Sequence, residues 1–277
     1  MKTFKSVSSV VCTALFAVTL GASILSAAKP AKVVMEGSTT VLPIAQKAAE
    51  VFMNNNPDAD ITVRGGGSGV GITSLIEGNC DIADSSRPIK DSELQKAASK
   101  GRDIKAHVIA MDGIAVIVNA SNQLSEITKK QVSDIYTGKI SDWSKLGAGA
   151  GKIVVISRDS ASGTFEAFGE LALNKQKVRP DALMQASNQA IASMVAKTPG
   201  AIGYIGLGYL TDSVKALKME GITPSAQTVL TGKYPYARPL FMYTNGAPKD
   251  TAKDLIDFIL SKEGQKLVEE DGFVGLK

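Results

Sequence analysis

Small hydroxyl-bearing residues stand beside other small residues at three places where a helix is predicted to begin. These places are Ser38-Thr39-Thr40, Gly67-Ser68-Gly69 and Ser162-Gly163-Thr164. The first backbone N–H groups of a helix have no partner inside the helix, and the helix dipole leaves partial positive charge there. Such ends bind anions, serine and threonine add O–H donors, and glycine lets the backbone approach a ligand closely. The three segments therefore predict a pocket of neutral hydrogen-bond donors suited to a small anion.

Two arginines lie close to such segments and could add positive charge. Arg87 follows Ser85 and Ser86 at the end of a predicted strand, and Arg158 comes shortly before Ser162. A planar guanidinium can bind two oxygens of one oxyanion, which a lysine cannot do in the same geometry. Each arginine could instead lie in a solvated loop or a local ion pair, and each hydroxyl could be only a helix N-cap. The prediction of an oxyanion site therefore depends on the agreement of four segments.

Alternating strands and helices must position these segments. A strand-like apolar run ends at each of them, and in three of the four cases a helical pattern of apolar residues follows. This alternation predicts an α/β fold, in which such turns gather at the carboxyl ends of the strands. Two strand-like runs, 107–111 and 114–119, flank Asp112-Gly113 and are expected to carry the chain out of a first lobe.

The sequence does not favour an enzyme. Its single histidine, His107, lies in an apolar strand-like run and is interpreted as a core or edge residue. The pattern G-x-S-x-G fails at Ser68 because position 70 is valine, and no Lys-Ser or Lys-Thr follows the glycine run 65–71. Cysteine and histidine do not cluster at metal-ligand spacing. We therefore expect no catalytic residues, no metal and no cofactor.

Composition limits the ligand class further. Aromatic residues make up 5% of the 277 residues, which argues against aromatic-lined sugar or peptide clefts and against base-stacking surfaces. The net charge of +4 is too small and too scattered to suggest nucleic acid. Of the two cysteines, Cys12 lies in the N-terminal apolar segment, which is predicted to be removed. Cys80 then has no cysteine to pair with and is interpreted as a structural thiol.

The N-terminal segment has the pattern of a secretory signal peptide. Lys2 and Lys5 give a positive start, residues 10–25 are apolar, and residues 26–28 are small. A membrane anchor is the alternative, but the apolar run is short for a full span. We predict that residues 1–28 are a signal peptide removed after Ala28 and that the mature protein is periplasmic.

Several separated segments, taken together, resemble the substrate-binding protein of the high-affinity ABC phosphate importer. They are V-M-E-G-S-T-T-V-L-P (34–43), R-G-G-G-S-G-V-G-I (64–72), D-I-A-D-S-S-R-P (81–88), I-S-R-D-S-A-S-G-T-F (156–165) and A-I-G-Y-I-G (201–206). The resemblance runs in order from about residue 32 to the C-terminus and is closest to the shorter members of that family.

The resemblance implies a two-lobed periplasmic-binding-protein fold of type II-like topology. One inorganic phosphate would bind between the lobes and pass to a membrane ABC permease, with the protein acting as a monomer that binds no nucleic acid. Lobe I is expected to comprise residues 29–112 plus 238–277, and lobe II residues 113–237. The chain would cross a hinge twice, near 111–116 and 232–240.

The donor segments and the resemblance together predict the phosphate-binding residues. They are Ser38, Thr39, Thr40, Ser68, Ser86, Arg87, Arg158, Ser162, Gly163 and Thr164.

One position departs from the longer family members, which place an aspartate where this chain has Ser86. Such a carboxylate accepts the proton that phosphate carries and sulfate lacks, and so excludes sulfate. Asp84 or Asp159 could replace it, or Asp159 could orient Arg158 instead. Another tetrahedral oxyanion, sulfate or molybdate, and a secreted adhesive or interaction role on the same scaffold remain the alternatives.

Overall fold

The computed structural model describes Met1 and residues 31–276. Within this range the strands are β1 (Ala31–Gly37), β2 (Ala59–Gly65), β3 (Ile82–Ser85), β4 (Ile104–Asn119), β5 (Glu126–Ile127), β6 (Val154–Arg158), β7 (Leu183–Gln185), β8 (Ala201–Gly206), β9 (Val214–Ala216), β10 (Lys218–Met219) and β11 (Ala237–Asn245). The helices are α1 (Leu42–Asn55), α2 (Ser68–Glu77), α3 (Asp91–Ser99), α4 (Lys129–Tyr136), α5 (Gly163–Leu171), α6 (Asn188–Lys197), α7 (Ala226–Leu230), α8 (Asp250–Leu260) and α9 (Lys262–Glu270). The predicted signal peptide lies outside the described residues except for Met1.

A mixed sheet runs through the whole molecule in the order β2-β1-β3-β11-β4-β8-β6-β7, and β9 also pairs with β4. Strands β2, β1 and β3 are parallel at one end, and β8, β6 and β7 are parallel at the other. Strand β4 joins the two ends, because its first part pairs with β11 and its second part pairs with β8. We call the part built on β1–β3 the first lobe and the part built on β6–β8 the second lobe.

Each lobe has its own apolar core. In the first lobe, α1, α8 and α9 cover one face of the sheet around Met35 and Leu240, while α2 covers the other face around Ile72. In the second lobe, α4, α5 and α6 pack around Ile117 and Tyr204. Each fully buried side chain of this size stabilises the fold by about 1.5–3 kcal/mol.

The predicted two-lobed α/β fold is confirmed by this architecture. The two strand-like runs 107–111 and 114–119 are parts of the single 16-residue strand β4, which continues through Asp112 and Gly113. Asp112 and Gly113 stay extended because their backbones pair with Arg238 and Ala237 of β11. The buried Asp112 carboxylate binds the Arg238 side chain, and this bond holds the Asp-Gly pair inside the sheet.

His107 and Cys80 are structural in this fold. The half-buried His107 ring shares a hydrogen bond of 3.0 Å with the Thr244 hydroxyl, and Cys80 is a buried free thiol whose pKa burial raises to about 12. No helix among residues 31–276 has both the length and the apolar character needed to cross a membrane.

Candidate functional site

Three helix N-termini from both lobes meet at the seam between the lobes. Helices α1 and α2 of the first lobe begin opposite α5 of the second lobe, each after a strand of the sheet. The hydroxyl oxygens of Thr40 and Thr164 lie 2.9 Å apart across the seam, and the Gly69 N–H donates to the Ala161 carbonyl at 3.0 Å. The hydroxyl residues of all three segments are buried. The sequence prediction that these segments converge agrees with this geometry.

The first segment folds into a tight turn at the end of β1. The Ser38 N–H donates to the Asp84 carbonyl at 2.8 Å, which ties the turn to β3. The Ser38 hydroxyl oxygen accepts from the Thr40 and Val41 N–H groups at 3.1 and 3.4 Å. The Thr40 N–H is therefore satisfied within the turn and does not face the seam as a free donor. The Ser38 hydroxyl hydrogen is left free to donate elsewhere.

Gly163 of the second lobe packs closely against Ser68 and Ser86 of the first. The Ser68 hydroxyl oxygen accepts from the Ser86 N–H at 3.0 Å and lies 3.4 Å from the Ser86 hydroxyl. A Cβ atom added to Gly163 would stand 2.2 Å from the Ser68 hydroxyl oxygen and 2.9 Å from that of Ser86. Only glycine therefore allows the first turn of α5 to reach the two serines.

Arg158 ends β6 and is fully buried, with 1% of the residue exposed. Its Nε donates to the Gln185 carbonyl at 3.1 Å, and its Nη2 donates to the Ala186 carbonyl and the Thr39 hydroxyl at 2.9 and 3.1 Å. Its Nη1 is buried without a partner among the described residues. Burial lowers the pKa of this guanidinium, because the nearby Tyr204 and Asp159 only partly compensate for its lost hydration. The side chain is thus fixed by two backbone carbonyls with one nitrogen unsatisfied.

The core of the second lobe supports this arginine. The Tyr204 hydroxyl accepts from the Arg158 N–H at 3.1 Å and shares a hydrogen bond of 2.9 Å with the Ser157 hydroxyl. The Tyr204 ring stacks on Phe168 of α5 with centroids 3.9 Å apart. The N-cap of α5 is Ser162, whose hydroxyl oxygen accepts from the Phe165 N–H at 3.2 Å. The same packing therefore positions both the arginine and the helix start.

Comparison with known proteins assigns the family. A family model described as a PBP superfamily domain matches residues 25–263. The chain belongs to the PBP superfamily. It is similar to the phosphate-binding protein PstS of Bacillus subtilis, at 36% identity over 245 residues covering 87% of this chain and 79% of that protein. The phosphate-binding protein PstS of Staphylococcus epidermidis strain RP62A is 34% identical over 253 residues, covering 86% and 77%.

Solved structures agree with this assignment. A putative phosphate ABC transporter substrate-binding protein with bound phosphate from Clostridium perfringens superposes with a TM-score of 0.84 at 35% identity, covering 89% of this chain and 100% of that one. An ABC-type phosphate transport receptor from Vibrio cholerae gives a TM-score of 0.73 at 31% identity, covering 88% and 100%. The resemblance predicted from the separated sequence segments is confirmed.

In this PBP superfamily member Arg87 does not join the other predicted donors. Both its terminal nitrogens donate to the Glu93 carboxylate at 2.8 and 2.7 Å, and its Nε lies 2.8 Å from the Glu166 carboxylate. The Nε contact has the distance of an ion pair but not the angle of a hydrogen bond. Arg87 therefore pairs with two carboxylates, and its guanidinium nitrogens are not free to bind an anion. Because Glu166 belongs to α5, the pair also links the lobes, and Lys90 adds a second contact of 2.8 Å to Glu166.

The sequence prediction missed two buried residues beside the donors, Asn188 and Arg238. Asn188, the first residue of α6, contacts the hydroxyls of Thr39 and Thr40. Arg238 of β11 binds Asp112 at 2.8 Å, and its Nη2 also lies 3.3 Å from the Thr40 hydroxyl oxygen. Asn188 begins α6 directly after the small residue Ser187, so the criterion that selected the three donor segments could have found it. Arg238 gave no such signal, because it lies within a strand.

Asp84 and Asp159, the two aspartates considered as acceptors of the phosphate proton, lie in different surroundings. The Asp159 carboxylate accepts from the Ala161 N–H at 2.9 Å and so stabilises its own loop. Asp84 is buried, and neither of its oxygens has a hydrogen-bond partner in the described part of the chain. Burial raises the pKa of Asp84 well above its usual value, because no hydrogen-bond partner or opposite charge within residues 31–276 offsets the lost hydration of the carboxylate. Burial likewise raises the pKa of Asp112, although its partner Arg238 opposes the shift.

Proposed function

We propose that this chain is a secreted solute-binding protein that captures inorganic phosphate between its lobes and delivers it to a membrane ABC importer. The observation that carries the proposal is the buried, unpaired Arg158 Nη1 beside helix N-termini from both lobes. An anion at this point would accept from a charged group that otherwise lacks a partner, and such a bond contributes about 1.5–3 kcal/mol. The relatives with bound phosphate or phosphate-binding names point to the same ligand.

The proposed ligand set draws on nine of the ten predicted residues. Eight of them would donate to the ligand directly: Ser38, Thr39, Ser68, Ser86, Arg158, Ser162, Gly163 and Thr164. Thr40 would act through Thr164, because its N–H donates to Ser38 and its hydroxyl oxygen lies 2.9 Å from that of Thr164. Arg87 is excluded because carboxylates take its nitrogens. The proposed lobes are residues 29–112 plus 238–277 and residues 113–237, hinged where β4 and the start of β11 pass between the cores.

Binding is proposed to shift the population from an open to a closed form. The ligand touches donors from both lobes, so it interacts more strongly with the closed arrangement, and this difference in affinity drives closure. The importer would recognise the closed form. The protein is proposed to act in the periplasm as a monomer, without catalysis and without binding nucleic acid.

A titration of the mature protein, from residue 29 onward, tests this function. Phosphate, sulfate and arsenate are titrated side by side by calorimetry, and melting is followed at each ligand concentration. At a ligand concentration of 100 times Kd, phosphate should stabilise the folded form by about 2.7 kcal/mol, or roughly 5–10 °C in melting temperature. Equal stabilisation by sulfate would favour a general oxyanion binder, and no stabilisation by any anion would favour an adhesive or interaction protein.

A matched pair of threonine variants locates the site. Thr164→Val removes a buried hydroxyl at the seam and should weaken phosphate binding by at least about tenfold. Thr73→Val removes an exposed hydroxyl from α2 and should leave the affinity unchanged. Equal affinities for the two variants would place the site elsewhere.

A further inference from the structure

A side-chain amide lies among the hydroxyls of the proposed site and has no role in the ligand set. Asn188 is fully buried at the first position of α6. Its Nδ2 lies 3.3 Å from the Thr39 hydroxyl oxygen and 2.9 Å from that of Thr40, and its Oδ1 lies 3.2 Å from the Gly206 nitrogen. The amide thus joins the backbone of β8 to two hydroxyls of the other lobe.

The Gly206 N–H fixes which way round this amide lies. A backbone N–H can only donate, so the atom that faces Gly206 must be the carbonyl oxygen of Asn188. The NH₂ group then faces the two threonines and has one hydrogen for each of them. Both threonine hydroxyls must accept from Asn188.

The Thr39 hydroxyl is consequently forced to donate into the site. Its oxygen accepts from Asn188 and from the Nη2 of Arg158 at 3.1 Å, and an arginine can only donate. A hydroxyl oxygen has two lone pairs and one hydrogen. With both lone pairs occupied, Thr39 can bind a further group only by giving its hydrogen.

The Thr40 hydroxyl is restricted in the same way, and its single hydrogen must point to Thr164 of the second lobe. Its oxygen accepts from Asn188 and from the Nη2 of Arg238 at 3.3 Å, so its hydrogen points to the Thr164 hydroxyl oxygen 2.9 Å away. Thr164 accepts this hydrogen, and its own hydrogen is released to donate. The hydrogen bonds therefore all point the same way, from the Gly206 N–H through Asn188 and Thr40 to Thr164. The hydroxyl hydrogen of Thr164 remains free to donate to a ligand.

We infer that Asn188 is a positioning residue that turns the threonine hydroxyls into hydrogen donors before the anion arrives. Neutral hydroxyls are ambivalent and would otherwise be free to present lone pairs to the ligand, which an oxyanion repels. Donors oriented in advance do not have to be reordered when the ligand binds. The inference deepens the proposed function and depends on it, because it names how the same site is made selective for anions.

The test compares two buried asparagines that touch opposite ends of α6. Asn188→Ala should weaken phosphate binding by about 10- to 100-fold, the loss expected for one or two disordered donors. Asn119→Ala is the control, because the Asn119 amide donates to the Val195 and Ala196 carbonyls at 3.0 and 2.9 Å, away from the site. The control should lower the melting temperature without changing phosphate affinity.

A double-mutant cycle separates positioning from general destabilisation. If Asn188 acts through Thr39, the combined effect of Asn188→Ala and Thr39→Val on phosphate Kd should fall at least about threefold short of the product of the single effects. Asn188→Asp, which has the same shape but accepts at both atoms, should bind phosphate more weakly than Asn188→Ala. The inference would be overturned if the two single effects on phosphate Kd simply multiplied in the double variant. An unchanged Kd in Asn188→Ala, or tighter binding by Asn188→Asp than by Asn188→Ala, would also overturn it. A wild-type protein that does not bind phosphate would instead refute the proposed function, so the two failures are distinguishable.

Discussion

The sharpest consequence of the site geometry concerns Arg158→Lys, a substitution that preserves charge. The guanidinium is held by the Gln185 and Ala186 carbonyls, and this leaves Nη1 buried without a partner. A lysine ammonium is a single point of charge on a flexible stem. It cannot bind both carbonyls and also reach the position of Nη1. The variant should therefore keep the positive charge and lose the directed donor.

The size of the loss follows from the number of bonds removed. A hydrogen bond that involves a charged group contributes about 1.5–3 kcal/mol, and each 1.4 kcal/mol changes affinity tenfold. Losing the single bond from Nη1 should weaken phosphate binding by about 10- to 150-fold. Arg158→Ala removes the charge as well and should exceed this loss.

Calorimetry of phosphate binding at constant ionic strength measures both Arg158 variants. Arg179→Lys is the matched control, because it removes another guanidinium group of the second lobe. That group donates to the Asp181 carboxylate at 2.5 and 2.7 Å. That control should bind phosphate as the wild type does. If Arg158→Lys bound phosphate within twofold of the wild type, the directed bond would contribute nothing, and the reasoning from the unpaired nitrogen would be wrong.

Three further predictions follow from the lobe contacts and the buried carboxyl. Glu166→Gln removes a carboxylate that pairs across the seam and should speed phosphate dissociation about threefold to tenfold in stopped flow, whereas Glu170→Gln on the same helix should not. Gly163→Ala should abolish phosphate binding in calorimetry without unfolding the second lobe, because its Cβ would stand 2.2 Å from the Ser68 hydroxyl oxygen; retained affinity would mean that the lobes close differently. The raised pKa of Asp84 means that the folded protein holds a proton that the unfolded chain releases near pH 3.8, so urea unfolding should show stability falling as pH rises above about 4 toward the raised pKa of the folded state, and Asp84→Asn should flatten that slope.

Most of the fold and the donor segments could be predicted because they depend on local patterns. A strand followed by small donors and an amphipathic helix specifies its own geometry, and the parallel sheet then gathers the helix starts at one edge. The Asp112-Gly113 pair shows where local patterns fail. This dipeptide usually signals a turn, but a contact with Arg238, 126 residues away in sequence, keeps it extended.

Arg87 shows the same limit at the site. Its position beside Ser86 suggested a ligand, and the sequence could not show which carboxylates surround it. Glu93 is six residues away and Glu166 comes from the other lobe, so the pairing depends on how the lobes meet. Asn188 begins a helix, which is a local signal, but its contacts with Thr39 and Thr40 lie 149 and 148 residues away in sequence, so its place among the donors depends on how the lobes meet. Both errors therefore concern residues whose partners are distant in sequence.

Under the proposed function, the unequal pairing of the buried arginines accounts for how the proposed site would hold a dianion. Arg238 is neutralised by Asp112, and Arg87 by Glu93, so the formal charge of neither is free for a ligand. Arg158 alone among these three has no carboxylate partner in the described salt bridges, and it supplies one positive charge. The remaining stabilisation of a dianion must come from helix N-termini and from hydroxyl hydrogens oriented toward it. These groups are neutral, so the empty site carries little excess charge, and the lobes can meet without strong repulsion before the ligand is bound.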